Sequence, residues 1–128
     1  MVRAEVLAEA RPSAEDGVTH DELVAYCLAK PGAVEDEPWE GDVVAKVGGK
    51  IFAFLGGGGL GVKCGATADE AAELRHRYPE HATVMPYIGR HGWNSVRVDG
   101  TIPDEELREL VDESYDAIVA KLPKRLRP

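Results

Sequence analysis

The sequence predicts an α+β fold, an α-β-β-β-α-β-β-α sandwich whose antiparallel sheet carries its helices on one face. Three observations predict it. Thr19 and Thr67 each stand three residues ahead of a glutamate, Glu22 and Glu70, which is the form of a capping box opening a helix. Gly48-Gly49 separates two apolar runs, the mark of a two-residue β-hairpin. From Leu107 to Leu122, apolar residues recur at helical spacing over a stretch long enough to cover a core.

The 128 residues suit one domain, expected over residues 19–124. Residues 1–18, with Arg11-Pro12-Ser13 and Glu15-Asp16, read as a loosely attached N-terminal tail. In the first helix Leu23, Val24, Cys27 and Leu28 fall on one side, and Lys30-Pro31-Gly32 ends it, because proline clashes with a continuing helical backbone. Residues 33–42 form an acidic connection in which Trp39 is expected to cover the core edge. Strands follow over Val43–Val47 and Lys50–Leu55. A tight turn at Gly48-Gly49 sets Ala45 against Phe52 and Val43 against Phe54, so these four are expected to face the core and Lys46 the other side.

Gly56–Gly59 reads as a hairpin tip, and Leu60–Cys64 as the third strand. The second helix, from Thr67, turns Ala71, Ala72 and Leu74 inward and stops at Pro79. Thr83–Tyr87 and Asn94–Val98 read as two further strands joined by Ile88–Trp93. Thr101-Ile-Pro-Asp104 opens the last helix, with Pro103 in its first turn. Its inner stripe is Leu107, Leu110, Val111, Ser114, Tyr115, Ile118, Val119 and Leu122. Pro123 closes it, and residues 125–128 make a short basic tail.

Charge narrows the function classes. The net charge is −8, distributed as −8 over residues 1–42, +3 over 43–98 and −3 over 99–128. A protein coated with nucleic-acid-binding charge is excluded, but a local basic patch in the middle third is not. No run of about 18 apolar residues exists, which argues against a membrane span. The first thirty residues lack a basic start followed by an apolar stretch, so no secretory leader is expected. Cys27 and Cys64 form no CxxC pair and read as core thiols, which fits a cytoplasmic protein.

Few motifs carry chemistry. Gly56–Gly61 matches G-x-G-x-x-G only because it is a glycine run, and a strand follows it where a phosphate-binding loop requires a helix. His20, His76, His81 and His91 make no metal-ligand spacing, so no metal and no cofactor are expected. No nucleophile–base order appears, and the chain reads as a non-enzyme. What remains is basic. Lys46, Lys63 and Arg97 alternate with apolar neighbours and should project from the non-core side of the sheet. Lys50, Arg90, His91, Trp93 and Asn94 lie at nearby turns and loops. Cations beside an aromatic and an amide can hold phosphates and stack on a base.

At these residues the chain resembles the MmcQ/YjbR family. Four stretches carry the resemblance: Tyr26-Cys-Leu-Ala-Lys-Pro-Gly32 followed by Pro38-Trp39; Lys46-Val-Gly-Gly-Lys-Ile-Phe-Ala53 with Val62-Lys-Cys64; Arg90-His-Gly-Trp-Asn-Ser-Val96; and Leu107 to Pro123 with Ser114-Tyr115 and Lys121. Gly92 parts His91 from Trp93, and Ile88-Gly89 stands where relatives tend to carry a polar-basic pair. The resemblance implies a double-wing fold similar to the frataxin (CyaY-like) sandwich, and a DNA-binding function. On that reading Lys46, Lys50, Lys63, Arg90 and Arg97 contact phosphates, with His91, Trp93 and Asn94 beside them. The alternative is a frataxin-like protein- or metal-interaction module using Asp21, Glu22, Glu35, Asp36, Glu37, Glu40 and Asp42. The sheet-face lysines separate the two readings, since the second leaves them idle.

Overall fold

The structure, a computed structural model, describes residues 19–128; the N-terminal tail read over 1–18 lies outside the described residues. The chain runs α1 (His20–Leu28), β1 (Val34–Trp39), β2 (Asp42–Val47), β3 (Lys50–Phe54), β4 (Leu60–Lys63), α2 (Ala68–Arg77), β5 (Ala82–Val84), β6 (Trp93–Val96) and α3 (Asp104–Ala120). The strands form one antiparallel sheet in the order β1-β2-β3-β4-β6-β5. The expected α+β class with helices on one face is the class observed.

One strand more is present than the sequence suggests. The acidic connection is β1, pairing Val34 with Lys46 and Trp39 with Asp42. Glu35, Asp36, Glu37 and Pro38 make it read as a loop, yet charge and proline are what an exposed sheet edge uses to resist pairing with another chain. Trp39 does not cover the core edge: it is 60 % exposed.

The helix starts follow the sequence closely. Thr19 Oγ1 accepts from the Glu22 amide at 3.1 Å, and Glu22 Oε1 accepts from the Thr19 amide at 2.9 Å. Thr67 likewise accepts from the Glu70 amide, but the Glu70 carboxylate turns back to the Ala66 amide instead. Pro103 is the N-cap of α3 rather than a residue of its first turn. The expected stripe of α3 is buried from Leu107 to Ile118, with Val119 half-buried. Tyr26 Oη donates to Asp112 at 2.7 Å and Lys30 pairs with the same carboxylate, so α1 is tied to α3. Burial alone would raise the Asp112 pKa. The hydrogen bonds from Lys30 and Tyr26 and the Lys30 charge outweigh it and hold the carboxyl below its ordinary value.

The β2–β3 turn has the left-handed geometry its glycines allow, φ 58° at Gly48 and 82° at Gly49. Its register differs from the simple hairpin. Lys46 pairs with Ile51, but Ala45 pairs with Ala53 and Val44 with Phe54, so Phe52 is an extra, bulged residue. The bulge separates the two phenylalanines that a regular strand would put on one face. Phe52 is fully buried under α3, edge-on to Tyr115 at 5.1 Å. Phe54 lies on the helix-free face, edge-on to Trp93 at 5.4 Å.

The sheet is nearly two sheets. β3 and β4 pair only at Phe54↔Gly61. Extending that register would place Phe52 opposite Lys63. There the strands part and α3 fills the gap: Ser114 Oγ donates to the Phe52 carbonyl at 2.7 Å and accepts from the Lys63 amide at 3.0 Å. One three-stranded half is β1-β2-β3 and the other is β4-β6-β5, with a buried hydroxyl completing the joint. Beyond α3 the basic tail folds back, and Arg127 donates to the carbonyls of Leu122 and Ala120, satisfying the helix end.

Candidate functional site

The eight residues singled out as a basic surface separate into three buried and five accessible ones. Lys63 is only 6 % exposed, and its ammonium donates to the His91 carbonyl. Burial, and after it the neighbouring Lys121, push its pKa below the ordinary lysine value, against a weaker pull from Glu70. Trp93 is buried against Phe54. Asn94 is fully buried; its amide donates to the Ala71 carbonyl at 3.0 Å, and its oxygen accepts from Arg75 at 2.7 Å. This amide locks β6 to α2. All three, expected on an exposed binding surface, are buried and engaged in internal packing or hydrogen bonds.

The other five reach solvent at separate points along the sheet and its turns. Lys46 is half-buried and pairs with Asp36 at 2.6 Å, which neutralises it. Lys50 is exposed beside the β2–β3 turn. Arg90 and His91 are exposed at the end of the β5–β6 connection, where Arg90 Nε donates to the His91 ring at 3.2 Å. Arg97 is exposed just past the far end of β6. Trp93 and Arg97 are four residues apart along extended chain, roughly 13 Å. Among the described residues, Lys50, Arg90 and Arg97 form no ion pair.

Sequence reasoning assigned neither of the two most exposed aromatics to a site. Tyr87 is 97 % exposed and is the one non-glycine residue of positive φ among the described residues, at 70°. It sits three residues ahead of Arg90. Trp39 stands at the end of β1 over a groove of about 350 Å³ on the helix-free face, lined also by Asp42, Phe54, Leu60, Met85 and the Gly56–Gly59 segment. Thr83–Tyr87 reads as a strand, but the strand ends at Val84, and nothing local marks the positive φ of Tyr87.

The acidic residues of the alternative reading divide between α1 and the β1–β2 hairpin. Glu22 caps α1, Asp36 holds Lys46, and Glu37 accepts from the Gly41 amide at 2.8 Å. Among the described residues, no group of three or more His, Cys, Asp or Glu side chains is placed to hold a metal ion. Both thiols are free; burial pushes Cys27 up to about 12 and Cys64 up to about 11, so neither is poised as a nucleophile. Cys64 lies just past β4 rather than within it. Among the described residues, no helix is long and apolar enough to cross a membrane.

Comparison with known proteins assigns the family. The YjbR family model matches residues 28–117. The chain is 33 % identical over 118 residues to the uncharacterised protein YjbR of Escherichia coli strain K12, covering 86 % of this chain and 95 % of that protein, and equally to its counterpart in strain O157:H7. Among solved structures it is similar to the Deinococcus radiodurans protein DR2400, which carries a DUF419 domain, with a TM-score of 0.74, 27 % identity and 84 % of each chain covered. With the family model spanning most of the folded core, the chain belongs to the YjbR family.

Proposed function

We propose that the protein is a non-enzymatic, cytoplasmic DNA-binding domain that holds the phosphate backbone weakly through its second wing, β4-β6-β5. The observation that carries this reading is Tyr87. A bulky residue at positive φ costs on the order of 1–3 kcal/mol, and this ring recovers none of it by burial. Such strain suits a side chain held out for a partner, and Arg90 and His91 follow within one turn. On this reading Arg90, His91 and Arg97 touch phosphates, Tyr87 lies against a sugar or base, and Lys50 reaches in from the other wing. Binding rather than catalysis is supported by the buried polar groups Lys63, Asn94 and Ser114, all engaged in structural hydrogen bonds. Free thiols fit a reducing compartment.

Affinity is set low by the chain's charge of −8 and the acidic β1. Roughly two or three phosphate contacts give a salt slope of about −0.9 each. Fluorescence polarisation with a labelled duplex at several salt concentrations tests this. The expected result is saturable binding at low salt that fades with that slope and weakens in Tyr87→Ala. Absence of binding at low salt, or binding indifferent to salt, removes the reading.

A further inference from the structure

The groove on the helix-free face has the opposite electrical character from the proposed DNA surface. Trp39 and Asp42 are register partners across the β1–β2 turn, so their side chains stand next to each other. Among the described residues, Asp42 is the only charged one lining the groove. Its Oδ1 faces the glycine wall: a Cβ built on Gly56 would lie 3.3 Å from it. The floor is apolar, formed by Phe54 and Met85 over Gly61. Glu35, Glu37 and Glu40 add negative charge along the same hairpin, and Lys46 neutralises only Asp36. An exposed indole next to a carboxylate, above an apolar floor, matches a cation on an aliphatic stem. The ring attracts the charge through its π face, the carboxylate pairs with it, and the floor receives the methylenes. A phosphate backbone would meet repulsion there.

We propose that this groove docks a basic segment of a partner protein, seating one lysine or arginine side chain between Trp39 and Asp42 with its stem on Phe54 and Met85. The charge complementarity of the site selects that occupant over nucleic acid, acidic peptide or a neutral apolar segment.

The test uses the full chain with a labelled oligoarginine peptide as probe and an oligoglutamate peptide as its control, read by polarisation. Trp39→Ala and Asp42→Asn lie at an exposed hairpin end and should keep the wild-type melting temperature. Expected is salt-sensitive binding of oligoarginine alone, weakened about tenfold by Trp39→Ala and severalfold by Asp42→Asn. Duplex DNA titrations should be unmoved by either variant, which keeps this site separable from the DNA reading. Oligoarginine affinity unchanged by both variants would overturn the proposal, as would equal binding of oligoglutamate. So would loss of binding only in a Glu35→Gln/Glu37→Gln variant, or DNA binding that depends on Trp39.

Discussion

A Gly92→Ala variant should be the most damaging small substitution in the fold. Gly92 has φ 90°, a region where an L side chain costs about 1–2 kcal/mol. Its Cα also abuts another chain segment. An added Cβ would land on the Gly65 carbonyl, which is backbone and cannot rotate away. The same residue's carbonyl accepts from the Cys64 amide at 2.7 Å, so a shift that relieves the clash breaks the joint between the β4–α2 and β5–β6 connections. Strain and overpacking together suggest a loss of about 3–5 kcal/mol, a large part of a typical domain's stability. Thermal denaturation should show a melting temperature lower by about 10–20 °C, or an insoluble product. A melt within a few degrees of wild type would mean that the two connections are not fixed to each other at this point.

The second large effect is expected at Ser114. Its hydroxyl bridges the Phe52 carbonyl and the Lys63 amide where β3 and β4 part. Ser114→Ala removes only one oxygen, yet it leaves a buried donor and a buried acceptor unmet. At about 1–3 kcal/mol for each unsatisfied group, the cost should be about 2–6 kcal/mol, well beyond that of an average hydrogen bond. Chemical denaturation measures it. Hydrogen exchange locates it, because the Lys63 amide should lose protection while the cap of α1 keeps its own. A change below about 0.5 kcal/mol would show that the halves of the sheet are joined by packing alone.

The sequence showed the helices more clearly than the sheet, for physical reasons. Thr19 and Thr67 act through residues three positions away, so their signal is local and complete. The Gly48-Gly49 turn is equally local, but the register beyond it is not. The bulge at Phe52 exists because Tyr115 and Ser114, more than sixty positions later, receive that residue. β1 was hidden because its charges and proline protect an edge, and edge chemistry resembles loop chemistry. The candidate site suffered most. Alternation predicts Lys63 on the non-core side of the sheet, but not that it is covered beside Lys121 at the end of α3. Asn94 looks like a loop amide until Ala71 and Arg75 of α2 are brought to it. Polarity marks a residue as needing partners; only the tertiary structure says whether those partners are internal or belong to a ligand.

The buried cation Lys63 and the exposed cation Arg97 divide structural from binding work, and one paired measurement separates the two roles directly. Lys63→Ala and Arg97→Glu are each melted and each titrated with duplex DNA at low salt, below their melting temperatures. Lys63→Ala should lower stability by about 1–3 kcal/mol, through the orphaned His91 carbonyl and lost stem packing, with DNA affinity unchanged. Arg97→Glu should melt like wild type and bind about tenfold more weakly. The reverse pattern, affinity lost with Lys63 and kept with Arg97→Glu, would contradict the assignment of the DNA surface.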